Sequence, residues 1–499
     1  MAGLLIGSYS CEDFVEKYPR DAIAEEEIVD NIKGLQSILN GLYDRLSAGT
    51  YNQREMNLAG ELLADQMGIA EENAGRMIAH PTNVEGAGFG IWTRAYNDIN
   101  RANTILYHID GLDAEDQVNQ VKGETHAIRA HLYFDLLRIY ARPYMYQEPL
   151  VAGEPLGVVY KTMPFVGIDE RTFEARGTIE EGYQLVLDDL YTALDYLEGD
   201  ERFPHRFNEI SVKANLARVY LYMGNWSEAV NYAEQVIAEA PVDLVDAEDG
   251  IDYIERVFAS APGGESIFEL GFTDVADAPG MNTSVAGMAT YYREEYFEGE
   301  GIEMPHIQID YQAYGDVILR YDLVYNVLRP YEELGDVRGE EYGTYYLRPK
   351  GGQETYFQTK YHSHEGVANW DEYIIIRLSE MYFIAAEAYY EMEQIDQAEE
   401  MLMEVRRHRG IGDVSIQETI DEFDDVDDFM DLLLKEKRLE FFSEMSHRWF
   451  DLRRRGMDIP KGTEMDQGTP LVFEDYRIVE RIPVSEIASN ENMIQNPGY

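Results

Sequence analysis

The chain has 499 residues, and its 95 Asp and Glu residues against 41 Lys and Arg residues give a formal net charge of −54 at pH 7. A field of that sign repels polyanions, so the charge argues against nucleic acid as a partner. The single cysteine, Cys11, excludes an intramolecular disulfide framework and any metal cluster that needs two or more thiolates.

The excess of acidic residues is unusual even for an acidic soluble protein, and the cations are mostly arginine, with 31 Arg and 10 Lys. We interpret this composition as an adaptation to high salt. At roughly 1 M ionic strength the Debye length is about 3 Å, so the self-repulsion of the chain is screened. An acidic secreted protein without salt adaptation is the alternative interpretation.

The first eleven residues, MAGLLIGSYSC, are apolar in their first half and carry no charge before Cys11. No run in the chain reaches the ~20 apolar residues that a transmembrane helix needs. A shortened lipoprotein signal fits the pattern better, with cleavage leaving Cys11 as a lipidated first residue. The positively charged start of such signals is absent and Ser8 replaces the usual leucine, so an ordinary N-terminal cysteine is the alternative.

Helical periodicity follows along most of the chain. In IWTRAYNDINRANTILYHI, residues of one helix face recur at intervals of four and three: Trp92, Tyr96, Ile99, Asn103 and Leu106. The next helical pattern, VKGETHAIRAHLYFDLLRIYARPY, ends at Pro143. Helix resumes in TIEEGYQLVLDDLYTALDYL, where Thr178 and Glu181 have the spacing of a capping box.

Two later segments have the spacing of tetratricopeptide repeats. In ANLARVYLYMGNWSEAVNYAEQVIAEAP, an aromatic residue, a turn glycine, a small contact residue and a terminating proline fall at the expected positions: Tyr220, Gly224, Ala229 and Pro241. The second copy, EMYFIAAEAYYEMEQIDQAEEMLMEVRRHRG, repeats this spacing at Tyr389 and Ala398, with Glu393 in place of the glycine. Such helix pairs stack, because one pair cannot bury its apolar face alone.

Residues 245–370, between the two repeats, have a different character. They contain short β-like pieces such as ESIFELGF and ETYFQTKY, many glycines, and eleven tyrosines between Tyr291 and Tyr346. We therefore predict a mainly α protein, in which a helical-repeat scaffold (residues 12–244 and 371–456) carries a long, irregular, Tyr-rich insertion. With a tail at 457–499 and no Pro-, Gly- or Ser-rich linker, residues 12–499 are expected to form one domain.

The stretch EKRLEFFSEMSHRWFDLRRRG (436–456) is the most arginine-rich and aromatic in the chain. Helical spacing predicts ion pairs from Glu444 to Arg448 and from Asp451 to Arg455. Four residues form an apolar stripe: Leu439, Phe442, Trp449 and Phe450. We expect a structural role, in which the arginines neutralise carboxylates of neighbouring helices.

Several of these segments occur in an order that resembles the SusD/RagB family: CEDFVEKYP, WTRAYNDINRAN, GETHAIRAHLYFDLLRIYARPY, ARVYLYMGNWSEA, ESIFEL, IRLSEMYFIAAEAYY, the stretch 436–456, and the close IPVSEIASNENMIQNPGY. The resemblance spans nearly the whole chain. It implies a SusD-like fold and an outer-membrane lipoprotein that faces the cell exterior. Such a protein captures nutrient, commonly a glycan, and delivers it to a SusC-like TonB-dependent transporter, usually without catalytic activity of its own.

The residues themselves leave two alternatives open. The sequence contains no nucleophile elbow, P-loop or HExxH motif, and it predicts no cofactor. Close pairs of carboxylates are expected everywhere among 95 acidic residues, so they carry no information about an extracellular glycoside hydrolase. A tetratricopeptide-type scaffold that binds peptides is the second alternative.

A glycan site needs flat rings for the sugar C–H faces and polar groups for the hydroxyls. We predict that the glycine-broken loop EGAGFG (85–90), just before Trp92, and the Tyr-rich insertion supply them at one face of the scaffold. The predicted ring residues are Phe89, Trp92, Tyr291, Tyr292 and Tyr296, and the predicted hydrogen-bonding residues are Asn83 and Arg293. If Trp92 belongs to the core, the site is expected around Trp370.

The charge imbalance makes salt dependence a first test of this interpretation. The midpoint of thermal unfolding should rise between about 0.1 and 2 M salt, because screening reduces the repulsion within the folded chain. Thermal scans monitored by circular dichroism measure it. A flat or falling dependence would remove the interpretation as a salt-adapted protein.

Overall fold

The structure is a computed structural model that describes residues 28–112, 116–147, 156–165, 173–200, 204–246, 253, 255–259, 264–271, 288–289, 313–339, 344–361, 371–423, 425–461 and 469–499. Cys11, the predicted lipidation site, lies outside the described residues. Among the residues described, no helix combines the length and apolar character needed to cross a membrane.

The fold is mainly helical, as predicted. The helices of the N-terminal half are α1 (Ile32–Ser47), α2 (Gly60–Leu63), α3 (Trp92–Ile109), α4 (Asp116–Tyr140), α5 (Ile179–Tyr196), α6 (Glu209–Met223) and α7 (Trp226–Glu239). A π-helix, Gly49–Ala59, connects α1 to α2. Helix α4 ends before Pro143, and α5 begins with the predicted capping box of Thr178 and Glu181, so both helix boundaries are confirmed.

In the described part of the C-terminal half, two short helices lie within the tyrosine-rich region and six more follow it. They are α8 (Tyr321–Leu323), α9 (Arg329–Glu333), α10 (Leu378–Glu391), α11 (Ile395–His408), α12 (Ile416–Glu422), α13 (Phe429–Phe441), α14 (His447–Arg454) and α15 (Val484–Ser489). A π-helical turn, Val324–Leu328, joins α8 to α9.

The two predicted repeats form the helix pairs α6–α7 and α10–α11, and α10 packs directly on α7. The turn of the first pair needs Gly224, whose φ of 70° lies in the left-handed region. Glu393 adopts the same conformation, with φ of 60°, at the matching place in the second pair. The second repeat therefore keeps its turn at the cost of a strained residue.

Short strands connect distant parts of the chain. A four-stranded antiparallel sheet has the order β1-β3-β5-β4, with β1 Met67–Ile69, β3 Val317–Leu319, β4 Tyr345–Lys350 and β5 Gln353–Gln358. A second, two-stranded sheet pairs β2 (Ser266–Leu270) with β6 (Tyr373–Arg377). The two β pieces predicted from the sequence are β2 and β5, whereas the pairing of β1 with β3 was not foreseen.

The stretch 436–456 is buried, but the predicted i,i+4 ion pairs are wrong. Helix α13 ends at Phe441 and α14 begins at His447, and three residues between or beside them have positive φ values: Ser443, Met445 and Ser446. Because of this turn, Arg448 binds Asp65 of the N-terminal half, with 2.9 Å between Nε and Oδ1. The arginines do neutralise carboxylates of other elements, as expected.

Glu444 and Arg455 form ion pairs with residues of other elements, outside the stretch 436–456. Glu444 pairs with Lys360, 2.7 Å away, and with Arg377, 2.8 Å away. Arg455 lies just past α14 and binds Glu387 of α10 at 2.7 Å. The four residues of the predicted apolar stripe are all buried, as expected.

Ten charged side chains form one cluster in the protein interior, and we call it the buried charge cluster. Its five carboxylates and five cations are Glu265, Asp336, Glu436, Glu440, Glu444, Arg338, Lys360, Arg377, Arg406 and Arg409. Each of them is almost inaccessible to solvent. The cluster joins the end of β6, the helices α11 and α13, and segments next to β2 and β5.

Glu440 of α13 is the centre of this cluster. It accepts hydrogen bonds from Arg338 at 2.8 Å and Arg409 at 2.8 Å, and it also contacts Arg377. Burial alone would raise the pKa of the Glu440 carboxyl, but the guanidinium groups of these three arginines lower it well below its usual range. The carboxylate is therefore held ionised by its neighbours.

Removing this carboxylate should destabilise the protein strongly. Glu440→Gln leaves three buried guanidinium groups with one negative charge fewer, and breaking a buried ion pair in this way costs about 3–5 kcal/mol. Urea denaturation at constant high salt gives the free energy of unfolding. Glu404→Gln is the matched control, because Glu404 pairs with Arg407 at the surface, where such a pair contributes about 1 kcal/mol or less. Equal losses in the two variants would contradict the central role of Glu440.

Candidate ligand-binding site

Four of the residues predicted for the glycan site, Tyr291, Tyr292, Arg293 and Tyr296, lie outside the described residues. So does Trp370, the alternative to Trp92. Their participation stays a prediction. The structure describes Asn83, Phe89 and Trp92, and it places these three in different surroundings.

Phe89 is a core residue and offers no ring face to a ligand. Its side chain is 1% exposed and packs on Phe450 of α14, with ring centroids 5.4 Å apart. At Gly88, just before it, an added Cβ atom would lie 1.6 Å from a carboxylate oxygen of Glu480. Glycine is needed for this close approach. Phe89 therefore belongs to the core, which corrects the predicted role.

Trp92 begins α3 and is also mostly buried, at 2% exposure. Its ring packs on Tyr96, 4.8 Å away, and edge-on against Tyr140, 4.9 Å away. The hydroxyl of Tyr140 accepts a hydrogen bond from the Trp92 backbone N–H and donates one to the carbonyl of Phe89, each at 3.3 Å. These contacts give Trp92 a packing role at the start of the helix.

One side of Trp92 nevertheless reaches a cavity of about 240 Å³, which we call the α3 cavity. It lies between α3, residues 159–165 and the C-terminal residues 486–493. The aromatic and amide side chains that line it include Trp92, Tyr96, Asn97, Asn100, Phe165 and Asn490. The cavity is smaller than the roughly 300–1,000 Å³ of ordinary ligand pockets, so it has room for a small group only.

Asn83 lies in the loop before α3, and its side chain is buried. Its φ of 50° ends a short 3₁₀ turn in the left-handed region. The Oδ1 atom accepts a hydrogen bond from Lys461 at 3.3 Å, whereas Nδ2 has no hydrogen-bond partner in the described part of the chain. Burial lowers the pKa of Lys461 to about 6, despite the carboxylate of Asp65 nearby. Asn83 therefore has a buried donor available, but not at the open surface.

The loop that contains Asn83, residues 70–91, meets the tyrosine-rich region at residues 313–316. We call this contact the loop–insertion junction. Asp316 anchors it by accepting hydrogen bonds from the Ala74 N–H at 3.2 Å and from Arg76 at 2.5 Å. The guanidinium group of Arg76 also lies 3.9 Å from the ring centroid of Tyr314. The residues of the loop that make this contact are 70–76, and the predicted role of the glycine-broken segment at 85–90 stays a prediction.

The surface of this loop has two properties that binding sites often share. Ile78 and Val84 are large apolar side chains exposed to solvent. Met77 and Asn83, next to them, hold positive φ values without being glycine. Backbone strain of this kind persists where the surroundings enforce it and occurs often at ligand sites. Arg76 and Tyr314 supply a cation and a half-buried phenol at the loop–insertion junction.

Sequence reasoning missed Arg76, Tyr314 and Asp316 as a group. Tyr314 belongs to the eleven tyrosines of the insertion, so composition indicated it in general terms. The pairing of Arg76 with Asp316 joins residues far apart in the chain, and no local spacing signals it. The pairing of β1 with β3 brings the two segments together.

Comparison with known families agrees with this fold. A sequence profile described as "Starch-binding associating with outer membrane" matches residues 13–221, and the profile of the SusD family matches residues 320–499. A tetratricopeptide profile matches residues 215–241, the first repeat. Two curated relatives from Formosa agariphila, SusD-like proteins P2 and P25, are 24% and 23% identical to the chain, and each alignment covers 99% of it and 98% of the relative.

Solved structures share the architecture. A SusD superfamily protein from Bacteroides vulgatus is 25% identical, with a TM-score of 0.76 over 94% of this chain and 99% of the other. The surface glycan-binding protein A of Bacteroides thetaiotaomicron, solved in complex with laminarihexaose, is 16% identical, with a TM-score of 0.68 over 93% and 99% of the two chains. The helical repeats, the profiles and the relatives agree: the chain belongs to the SusD/RagB family.

Proposed function

We propose that this protein binds glycans at the cell surface and passes them to a SusC-like TonB-dependent transporter in the outer membrane. The loop–insertion junction is the observation that carries the proposal. It brings the half-buried ring of Tyr314 and the cation of Arg76 together, and the same loop carries the exposed apolar side chains of Ile78 and Val84. Membership of the SusD/RagB family supports the same assignment.

The chemistry of the junction suits a sugar. A pyranose presents C–H faces, which pack on flat rings, and hydroxyl groups, which need donors and acceptors. Tyr314 supplies a ring and a phenol, and Arg76 supplies N–H donors that its pair with Asp316 holds in place. We propose that Tyr291, Tyr292, Arg293 and Tyr296 complete this surface, because they precede Tyr314 in the tyrosine-rich region.

We further propose that the protein has no catalytic activity and is anchored by a lipid at Cys11. A glycoside hydrolase remains the competing function. Incubation with polysaccharides and measurement of new reducing ends separates the two, since a binding protein releases none. A steady release that depends on the folded protein would favour the hydrolase.

A tyrosine variant tests the position of the site. Tyr314→Ala should weaken binding of the best polysaccharide in a glycan screen by at least about tenfold, which corresponds to ~1.4 kcal/mol. Tyr314→Phe should keep most of the affinity, because it keeps the ring. Isothermal titration calorimetry in high salt measures both.

The control for this experiment is Tyr191→Ala. Tyr191 is an exposed tyrosine of α5 that does not belong to the junction. Its variant should bind as the wild type does, and all variants should show similar thermal midpoints. Normal binding by a folded Tyr314→Ala variant would place the glycan elsewhere.

The transporter and the anchor need a test in membranes. The wild-type protein should copurify with a barrel transporter from outer membranes solubilised in mild detergent, since stable assemblies commonly bury more than about 2,000 Å². Cys11→Ala should lower retention in the membrane fraction, because no lipid can be attached. Finding only free monomer in several mild detergents would contradict the transporter partner. Unchanged membrane retention of Cys11→Ala in the absence of the transporter would contradict the lipid anchor.

A further inference from the structure

A second pocket, separate from the junction, opens between α3, α4 and α5. We call it the α3–α5 pocket, and its volume is about 470 Å³. It lies within the range of roughly 300–1,000 Å³ that is typical of ligand pockets. The side chains with ligand-binding chemistry that line it are Tyr107, Lys122, His126, Arg129, Thr162 and Tyr196. It shares no residue with the loop–insertion junction.

A hydrogen-bonded network fixes one wall of this pocket. Asp189 accepts two hydrogen bonds from Arg129, at 2.7 and 2.8 Å, and its Oδ1 lies 2.6 Å from Nδ1 of His126. Arg129 also donates to Asn103 of α3 at 2.8 Å. The contact with Asp189 fixes the orientation of the His126 imidazole through Nδ1. The other ring nitrogen, Nε2, is then the one that can bind a ligand. The wall is therefore rigid before any ligand arrives, which lowers the entropic cost of binding.

The opposite side of the pocket combines a cation with aromatic rings. Lys122 lies 5.5 Å from the ring centroid of Tyr196, and its Nζ is 2.7 Å from Asp110, a mostly exposed carboxylate. Burial lowers the pKa of Lys122, but the hydrogen bond and charge of Asp110 act together with Tyr196 and raise the pKa above its usual value. The amine is thus charged. A lysine ammonium has three N–H donors, so its bond to the Asp110 carboxylate leaves donors for a further acceptor.

Two large side chains that line the pocket, Tyr107 and Met163, are mostly exposed in the described part of the chain. Tyr107 is 56% exposed, and the ring contact found for it is with the adjacent His108. Met163 is 61% exposed. Large apolar groups at the rim of a polar pocket are a common property of ligand sites, because they bury surface only when the ligand is bound.

We propose that the α3–α5 pocket binds one pyranose unit of a glycan, as a second site besides the junction. The ligand class rests on the proposed function. Tyr107 and Tyr196 offer rings to the sugar faces, and Lys122 and Thr162 donate hydrogen bonds to its hydroxyls. His126 and Thr192 accept them, because the Thr192 hydroxyl already donates to the carbonyl of Asp188.

Other ligand classes fit this pocket less well. A purely apolar ligand would leave the remaining N–H donors of Lys122 and the Nε2 atom of His126 without hydrogen bonds in the filled pocket, which is costly. A strongly anionic ligand would meet cations that are already neutralised, since Asp110 pairs with Lys122 and Asp189 with Arg129. A neutral, hydroxyl-rich ring uses donors, acceptors and rings together. Two such sites on one protein also raise the apparent affinity for a polymer that reaches both.

Small sugars test the pocket directly. The probes are the methyl pyranosides of glucose, galactose, mannose and xylose, and their binding to the full-length protein in high salt is followed by saturation-transfer NMR. At least one probe should bind the wild type. Tyr107→Ala and Lys122→Met should each weaken its binding at least tenfold. Tyr325→Ala is the matched control, because Tyr325 is 45% exposed but lies outside this pocket.

The two proposals fail in different ways. Tyr314→Ala should reduce binding of the polysaccharide but leave the methyl pyranoside bound. Wild-type affinity of both folded variants, Tyr107→Ala and Lys122→Met, for the probe would overturn the pocket proposal. So would a wild type that binds polysaccharide but none of the four probes, and the proposed function would then still stand. A wild type that binds neither polysaccharide nor probe would overturn both.

Discussion

The fold depends on the need to neutralise ten charges away from water. An unpaired buried charge costs several kcal/mol, so every member of the buried charge cluster must meet its partners or the structure does not form. The partners come from distant parts of the chain: Glu265 precedes β2, Lys360 follows β5, Arg377 ends β6, and Glu440 belongs to α13. The cluster thereby selects one arrangement of the scaffold helices and the strands.

The cluster also shows that this protein has two sets of charges, the paired charges of the interior and the unbalanced charges in contact with solvent. Its five carboxylates and five cations cancel, so the entire net charge of −54 comes from the other residues. Salt screens charges in contact with solvent and hardly reaches a buried pair. High salt is therefore expected to relieve repulsion at the surface while leaving the interior ion pairs intact. Abundant arginine is consistent with this division, because its planar fork satisfies two carboxylates at once, as Arg409 does for Glu265 and Glu440.

The sequence predicted the parts of the fold that depend on local spacing. Periodicity and capping chemistry located α3, α4 and α5, and the repeat spacing located both helix pairs even though Glu393 replaces a glycine. The sequence could not predict the partners of Glu444 and Arg448, because the residues of the left-handed turn after α13 are not glycines and give no sequence signal of a turn. For the same reason the candidate site was predicted only in outline. The glycine-broken segment suggested Phe89 as a ring residue, whereas Phe89 packs in the core, and the contact between Arg76 and Asp316 depends on strand pairing over a long distance.

The direct packing of α10 on α7 has a consequence for how the protein reaches its native state. The first repeat ends at Glu239 and the second begins at Leu378, so their interface has a large sequence separation and a high contact order. Contacts of this kind form late, because the loop must close before they stabilise anything. As the chain emerges from the ribosome, the apolar face of α7 is complete long before α10 exists. An amino-terminal fragment would therefore expose the apolar face of α7 that α10 covers in the native fold. Chaperones bind intermediates that expose such apolar surface.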